Sequence, residues 1–250
     1  MSGHSKWATI KRQKGANDTK RGQLFTKLSK TITLAVQQGG GIVDPDSNFR
    51  LRLAIESARG ANMPKENIER AIVRASGKQG VQLEEAIYEG FGPGGFSVVV
   101  EALTDNILRT VSEVKMTFNK NGGNMGAQGS VMYQFEKKGV ITLEKKGKSL
   151  DDIFVIVVDN GADDIEDADT EVLLYTKPED VAKVRDALNE QGLSVKTSEL
   201  TLRPIVNSVI DDKVAAEKAL GFIEKLEDLD DVQKVYANFD IPDELIEDSK

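Results

Sequence analysis

Near Gly80 the hydrophobic pattern changes period, and a chain that does this must fold into at least two kinds of structure. Before it, apolar residues recur every three or four positions: Leu24, Phe25, Leu28, Ile32, Ala35 and Val36, then Leu51, Ala54, Ile55 and Ala58, then Ile68, Ala71, Ile72 and Ala75. That spacing gives each set one helix face. Gly39-Gly40-Gly41 ends the first helix, Asp44-Pro45-Asp46-Ser47 starts the second, and Pro64 and Gly77 bracket a third. The 39–47 connection is far longer than the turn of a helix-turn-helix. A small three-helix bundle is expected.

Beyond Gly80, strands alternate with helices. Phe96–Leu103 reads as a buried strand, Leu108, Val111, Val114 and Phe118 mark a helix, and Val131–Phe135 reads as a second strand. The run from Val140 to Leu202 counts as strand, helix, strand, strand, helix, strand if Asp163–Ile165 is a short strand, which is a complete split β-α-β sandwich. Helix Lys213–Leu226 and strand Val232–Phe239 would complete the half unit at 96–135. The expectation is an α+β multidomain protein. Residues 1–80 form a basic helical domain, and 81–135 plus 205–240 an α/β domain. Residues 136–204 form an inserted ferredoxin-like α/β domain, and 241–250 an acidic tail. The alternative is two α/β domains in simple succession.

Charge divides along the same line. Residues 1–80 hold 15 Lys/Arg against 6 Asp/Glu, and 81–250 hold 18 against 35, giving −8 for the whole. Within residues 1–30 there are eight Lys/Arg and a single acid, Asp18. A basic cluster on an acidic protein is an electrostatic footprint for phosphate backbones. The only His and the only Trp lie inside it. Trp7 either stacks on a base or plugs the arm against the first helix. Lys27 and Lys30 fall opposite the apolar stripe of their helix, and Arg52 and Arg59 extend the basic surface unless they are simply solvated.

The rest of the composition excludes chemistry. With no cysteine there is no disulfide, thiolate metal site or Cys nucleophile, and one His rules out a His-rich metal centre. A triad could use only His4, which nothing nearby orients. No enzyme, cofactor or metal is expected. No apolar run approaches membrane-spanning length and the amino terminus lacks a signal-peptide core, so a cytoplasmic protein without membrane partners is expected. Monomer is slightly favoured.

Three motifs fail as ligand sites. Gly90-Phe91-Gly92-Pro93-Gly94-Gly95 matches G-x-G-x-x-G but precedes a strand instead of opening a helix, so it reads as a loop. Gly139 and Gly147-Lys148-Ser149 resemble a phosphate loop, but the glycine that loop requires at position 142 is Thr142. Asp163, Asp164, Glu166, Asp167 and Asp169 lack the glycine of a helix-loop-helix calcium site and read as a solvated turn. Asn121-Gly122-Gly123-Asn124-Met125-Gly126 reads as a helix stop.

The opening Met-Ser-Gly-His-Ser-Lys-Trp-Ala-x-Ile-Lys, with Lys14, Asp18 and Arg-Gly-x-x-Phe-x-Lys-Leu at 21–28, resembles the YebC/PmpR family. The resemblance implies a DNA-binding transcriptional regulator with a helical domain and two α/β domains. It also implies an alternative, because mitochondrial relatives are translational activators and bacterial members are linked to ribosomes stalled on proline-rich stretches. The expected nucleic-acid contacts are His4, Ser5, Lys6, Trp7, Lys11, Arg12, Lys14, Lys20, Arg21, Lys27 and Lys30. DNA regulation stands first. Binding to ribosomal RNA or the ribosome is the alternative, and a protein scaffold without nucleic acid is the second alternative.

Overall fold

The computed structural model describes residues 18–76, 82–168, 170–242 and 245. Three helices come first: α1 (Asp18–Gln38), α2 (Phe49–Gly60) and α3 (Lys65–Ser76). Ile32, Ala35 and Val36 meet Leu51, Ala54, Ile55 and Ala58 and then Ile68 and Ala71 in one buried cluster. Four of these are alanines, which let helix backbones approach closely. Leu24, at the angular edge of the α1 stripe, is exposed, while Phe25 and Leu28 pack partly buried on the cluster's rim.

The α1–α2 connection depends on glycine. Gly40 and Gly41 take positive φ (70° and 83°). A Cβ on Gly39 would sit 2.1 Å from Asn48 Nδ2. Asn48 needs that space because it is buried and does three jobs. Its Oδ1 accepts from Leu51 N–H to cap α2, and its Nδ2 donates to Ala35 O (3.0 Å) and Ile42 O (2.9 Å).

An antiparallel hairpin follows. β1 (Glu84–Phe91) pairs with β2 (Ser97–Thr104), Glu84 facing Thr104 and Phe91 facing Ser97, so Gly92–Gly95 form the turn. Then come α4 (Ile107–Lys120), capped by Asn106, and the two-residue β3 (Asn124–Met125) against β1. Two expectations are corrected here. β1 is a strand that the sequence pattern did not reveal, and the strand expected at Val131–Phe135 is absent. Met132–Gln134 is one 3-10 turn and β4 starts only at Phe135. The cause is Glu89, buried on β1, whose carboxylate accepts from Gly129 N–H (2.6 Å) and Val131 N–H (2.8 Å). A side chain holds this backbone where a sheet ladder was expected.

From Phe135 the chain lays down a complete four-stranded sheet: β4 (Phe135–Glu144), α5 (Leu150–Asp159), β5 (Asp164–Ala168), β6 (Glu171–Thr176), α6 (Val181–Glu190) and β7 (Ser194–Pro204). The order β5-β6-β4-β7, antiparallel throughout, is the split β-α-β arrangement. Alternate residues Ile141, Leu143, Val172 and Leu174 pack on Ile153, Val157, Val184 and Leu188 of the two helices. Val140, Leu173 and Tyr175, of opposite parity, are buried as well, so β6 is buried along its whole length.

The last elements are β8 (Ser208–Val209), α7 (Lys213–Glu227), β9 (Val232–Ala237) and β10 (Phe239–Asp240). β9 joins the first sheet in the order β3-β1-β2-β9, and β10 pairs parallel with β8. Phe222 of α7 meets Phe118 of α4 edge-on at 5.2 Å and Phe96 at 6.0 Å. The fold is mixed α+β, a helical amino-terminal part followed by α/β structure. Among the described residues it divides into two compact units, one running to Val131 and including Glu217–Val235, the other holding Met132–Ala216 and the chain from Tyr236.

Candidate nucleic-acid interface

Of the expected contact residues, His4, Ser5, Lys6, Trp7, Lys11, Arg12 and Lys14 lie outside the described residues, and Lys20 falls within α1. Arg21 is exposed on α1. The two lysines further along behave differently. Gln23, Lys27 and Lys30 recur at i, i+4 and i+7, so they share a face. That face meets the end of α7: Gln23 Nε2 donates to Asp228 O (3.3 Å), Lys27 Nζ to Glu227 O (2.6 Å) and Lys30 Nζ to Asp230 O (2.8 Å). Carbonyls at a helix carboxyl end lack helical partners and carry partial negative charge, and lysines satisfy both needs. Lys27 and Lys30 are therefore engaged within the fold.

Asp231 is the centre of this contact. It is buried, and its Oδ1 accepts from Lys30 Nζ at 2.5 Å. Its Oδ2 accepts from Arg109 Nη2 (2.7 Å), Thr110 Oγ1 (2.6 Å) and Thr104 Oγ1 (3.1 Å). Its own carbonyl accepts from Leu103 N–H (2.7 Å). Burial alone would raise the carboxyl pKa, but the bonds from Arg109, Lys30 and Thr110 outweigh it and hold the group well below the ordinary carboxylate range. Arg109, bonded to Asp231 and Asp105, is held in its charged form.

The arginines of the first three helices are a different population. Arg21, Arg50, Arg52, Arg59, Arg70 and Arg74 are exposed, and no carboxylate among the described residues pairs with them, whereas Lys65 pairs with Glu69. Arg52 lies 5.4 Å from the centre of the Phe49 ring, and Arg70 is steadied by Glu66 O and Asn67 Oδ1. In the ferredoxin-like part four cations are paired instead. Lys138 pairs with Asp163, Arg203 with Asp164, Lys145 with Asp167 and Lys196 with Glu171.

Those pairs also correct the reading of the acidic run: Asp164, Glu166 and Asp167 lie on the edge strand β5 with Asp163 just before it, not in a solvated turn, and Asp169 lies outside the described residues. Glu166, the fourth acid described there, accepts from Tyr175 OH (3.1 Å). No group of three or more His, Cys, Asp or Glu able to hold a metal occurs among the described residues. None of the described helices is long and apolar enough to cross a membrane.

A groove of about 840 Å³ opens beside Asp231, between α1, α3 and the start of α4. Arg70 and Arg74 form one wall, Asp105 and Glu113 belong to the other, and Phe25 lines it. The sequence pattern did not single out Arg70, Arg74 or Asp231. The arginines had a signal, their i, i+4 spacing on a helix. Asp231 had none.

Two family models cover the chain. One described as the TACO1/YebC protein N-terminal domain matches residues 5–78, and one described as the TACO1/YebC second and third domain matches 83–239. A probable transcriptional regulatory protein of Chloroflexus aurantiacus is 53% identical over 249 residues, 98% of each chain. Another from Dictyoglomus turgidum is 51% identical over 249 residues, 99% of each chain. The crystal structure of a conserved hypothetical protein from Aquifex aeolicus is similar with a TM-score of 0.83 and 44% identity, covering 90% of this chain and 93% of the other.

Proposed function

We propose, given that this chain belongs to the TACO1/YebC family, that it is a non-enzymatic nucleic-acid-binding regulator acting on DNA. The observation that carries this reading is the contrast between its cations. Lys138, Arg203, Lys145 and Lys196 of the second α/β unit are paired with carboxylates, while Arg21, Arg50, Arg52 and Arg59 of α1 and α2 stand exposed without one among the described residues. Unpaired cations are free to replace counterions on a phosphate backbone, which gives affinity without sequence choice. The basic residues Lys6, Lys11, Arg12 and Lys14 add to them in the same charge-rich part of the chain.

One observation favours RNA as a second reading. The α1–α2 connection spans residues 39–48, too long for the turn of a helix-turn-helix. Binding to ribosomal RNA needs only backbone and shape.

The test neutralises Lys11, Arg12 and Lys14 together and measures duplex DNA binding across a salt series. Affinity falls, and the log–log salt slope flattens by roughly 0.9 for each phosphate no longer neutralised. Unchanged affinity and slope would overturn the nucleic-acid reading in favour of a scaffold. Sedimentation of lysate through a sucrose gradient separates the two targets. Co-migration with ribosomal particles that the triple variant loses assigns RNA, and migration at the top with retained promoter DNA assigns transcriptional control.

A further inference from the structure

We propose that the groove between α1, α3 and α4 is a binding site for a single nucleic-acid strand, separate in its contacts from the surface that meets a duplex. The inference rests on the nucleic-acid reading above and adds a ligand class and an orientation to it.

The geometry of α3 supplies the first argument. Arg70 and Arg74, one turn apart, both line the groove. Side chains at i and i+4 lie about 5–6 Å apart at Cβ, which suits neighbouring phosphates of one strand. Neither arginine is paired with a carboxylate among the described residues. Arg70 is oriented by Glu66 O and Asn67 Oδ1, both uncharged acceptors that leave its charge uncompensated.

The second argument is the aromatic ring. Phe25 is only partly buried: it packs against the helical core and also lines the groove. A ring beside paired arginines is the combination that single strands use, bases stacking while cations follow the backbone. A volume near 840 Å³ lies in the range of sites that hold small ligands.

The opposite wall sets the direction. Asp231 and Asp105 are compensated by Lys30 and Arg109, so they repel little. Every bond from Arg109 to these acids and to Thr104 passes through Nη2, leaving Nε and Nη1 to a ligand. Glu113 and Asp230, neither with a cation bound to its carboxylate among the described residues, line the same space. A carboxylate there rejects phosphate and accepts from a base amino group or a ribose hydroxyl. The backbone therefore runs along α3, and the bases or sugars point toward α4.

The experiment compares the full-length protein with Arg70→Ala/Arg74→Ala and with Arg70→Lys/Arg74→Lys. Fluorescence anisotropy is read against short labelled oligouridylate, oligodeoxythymidylate and a blunt DNA duplex, with thermal melting to check folding. The alanine pair lowers single-strand affinity about tenfold and flattens its salt slope by roughly 1.4, two phosphates at about 0.7 each, while duplex binding holds. The lysine pair keeps the slope. Preference for oligouridylate assigns RNA, and equal binding assigns either strand. Unchanged single-strand binding in the alanine pair overturns the site, as does an equal fall for single strand and duplex. The Lys11/Arg12/Lys14 variant reports separately. If it leaves duplex binding untouched while the groove variant loses single strands, the regulator reading fails and the groove stands. If the wild-type protein binds none of the probes, both fail.

Discussion

Lys30 and Asp231 stand 201 residues apart in the chain and meet at 2.5 Å. Through that contact α1 is joined to the turn that launches β9, and the same carboxylate holds Arg109, Thr104 and Thr110 of the first sheet and its helix. The helical part and the first sheet belong to one unit, and this buried acid bonds to both.

Replacing Asp231 with Asn should cost about 3 kcal/mol at neutral pH, since Lys30 and Arg109 lose their common counter-charge. The folded carboxyl lies below its unfolded value of about 3.9. Its stabilisation is therefore complete above that value and is lost as pH falls through the lower folded one. Denaturant melts of wild type and Asp231→Asn should differ most near neutrality and converge in acid. A gap that stays constant down to low pH would remove the carboxylate from this role.

Phe222→Ala should destabilise the first unit by about 3–5 kcal/mol. The ring is buried and meets two others edge-on, Phe118 and Phe96. Chemical denaturation checks the midpoint. A loss below about 1 kcal/mol would mean that this aromatic cluster repacks freely.

Two glycine-to-alanine changes should move stability in opposite directions. A Cβ on Gly90 would lie 2.5 Å from Asn124 O and 2.6 Å from Phe118 Cε1, so Gly90→Ala must push β3 or α4 away, costing about 1–3 kcal/mol. At Gly221, inside α7, nothing lies within 4 Å of the added carbon, and Gly221→Ala should stabilise by up to about 1 kcal/mol. Paired thermal melts read both, and a shared sign would contradict this packing.

Ser149→Ala should cost about 1 kcal/mol. Ser149 Oγ accepts from Asp152 N–H (3.1 Å), and the Asp152 carboxylate returns to Ser149 N–H (3.3 Å), which holds that acid below its usual range. Hydrogen exchange at the first turn of α5 should rise in the variant. Unchanged exchange would show the helix held by its core contacts alone.

Most elements were legible because their signal is local. The stripe through Ile32, Ala35 and Val36, and the alternation of Ile141 and Leu143 against Val140, each identify an element from residues a few places apart. β1 was not legible. Its buried stretch carries Glu89 and Gly90 in succession, a charge and a missing side chain, where a strand pattern leads one to look for apolar residues. The groove was legible in half: Arg70 and Arg74 share a spacing that shows in the chain, but Phe25 read only as core because its exposed edge depends on what packs beside it.

The sequence by itself determined the two periodicities, the charge division at Gly80 and the absence of thiol and multi-histidine chemistry, because each is a property of residue types and their near neighbours. Only the tertiary structure decided which cations remain available. Lys27 and Lys30 look identical to Arg21 when the chain is read in order, all of them basic residues of one helix. Folding brings the carboxyl end of α7 and Asp231 against one face of that helix, and acceptors 200 residues away bind two of the three. Coulombic attraction acts through space, so which pairs form is set by how the chain returns on itself and not by the order of its residues.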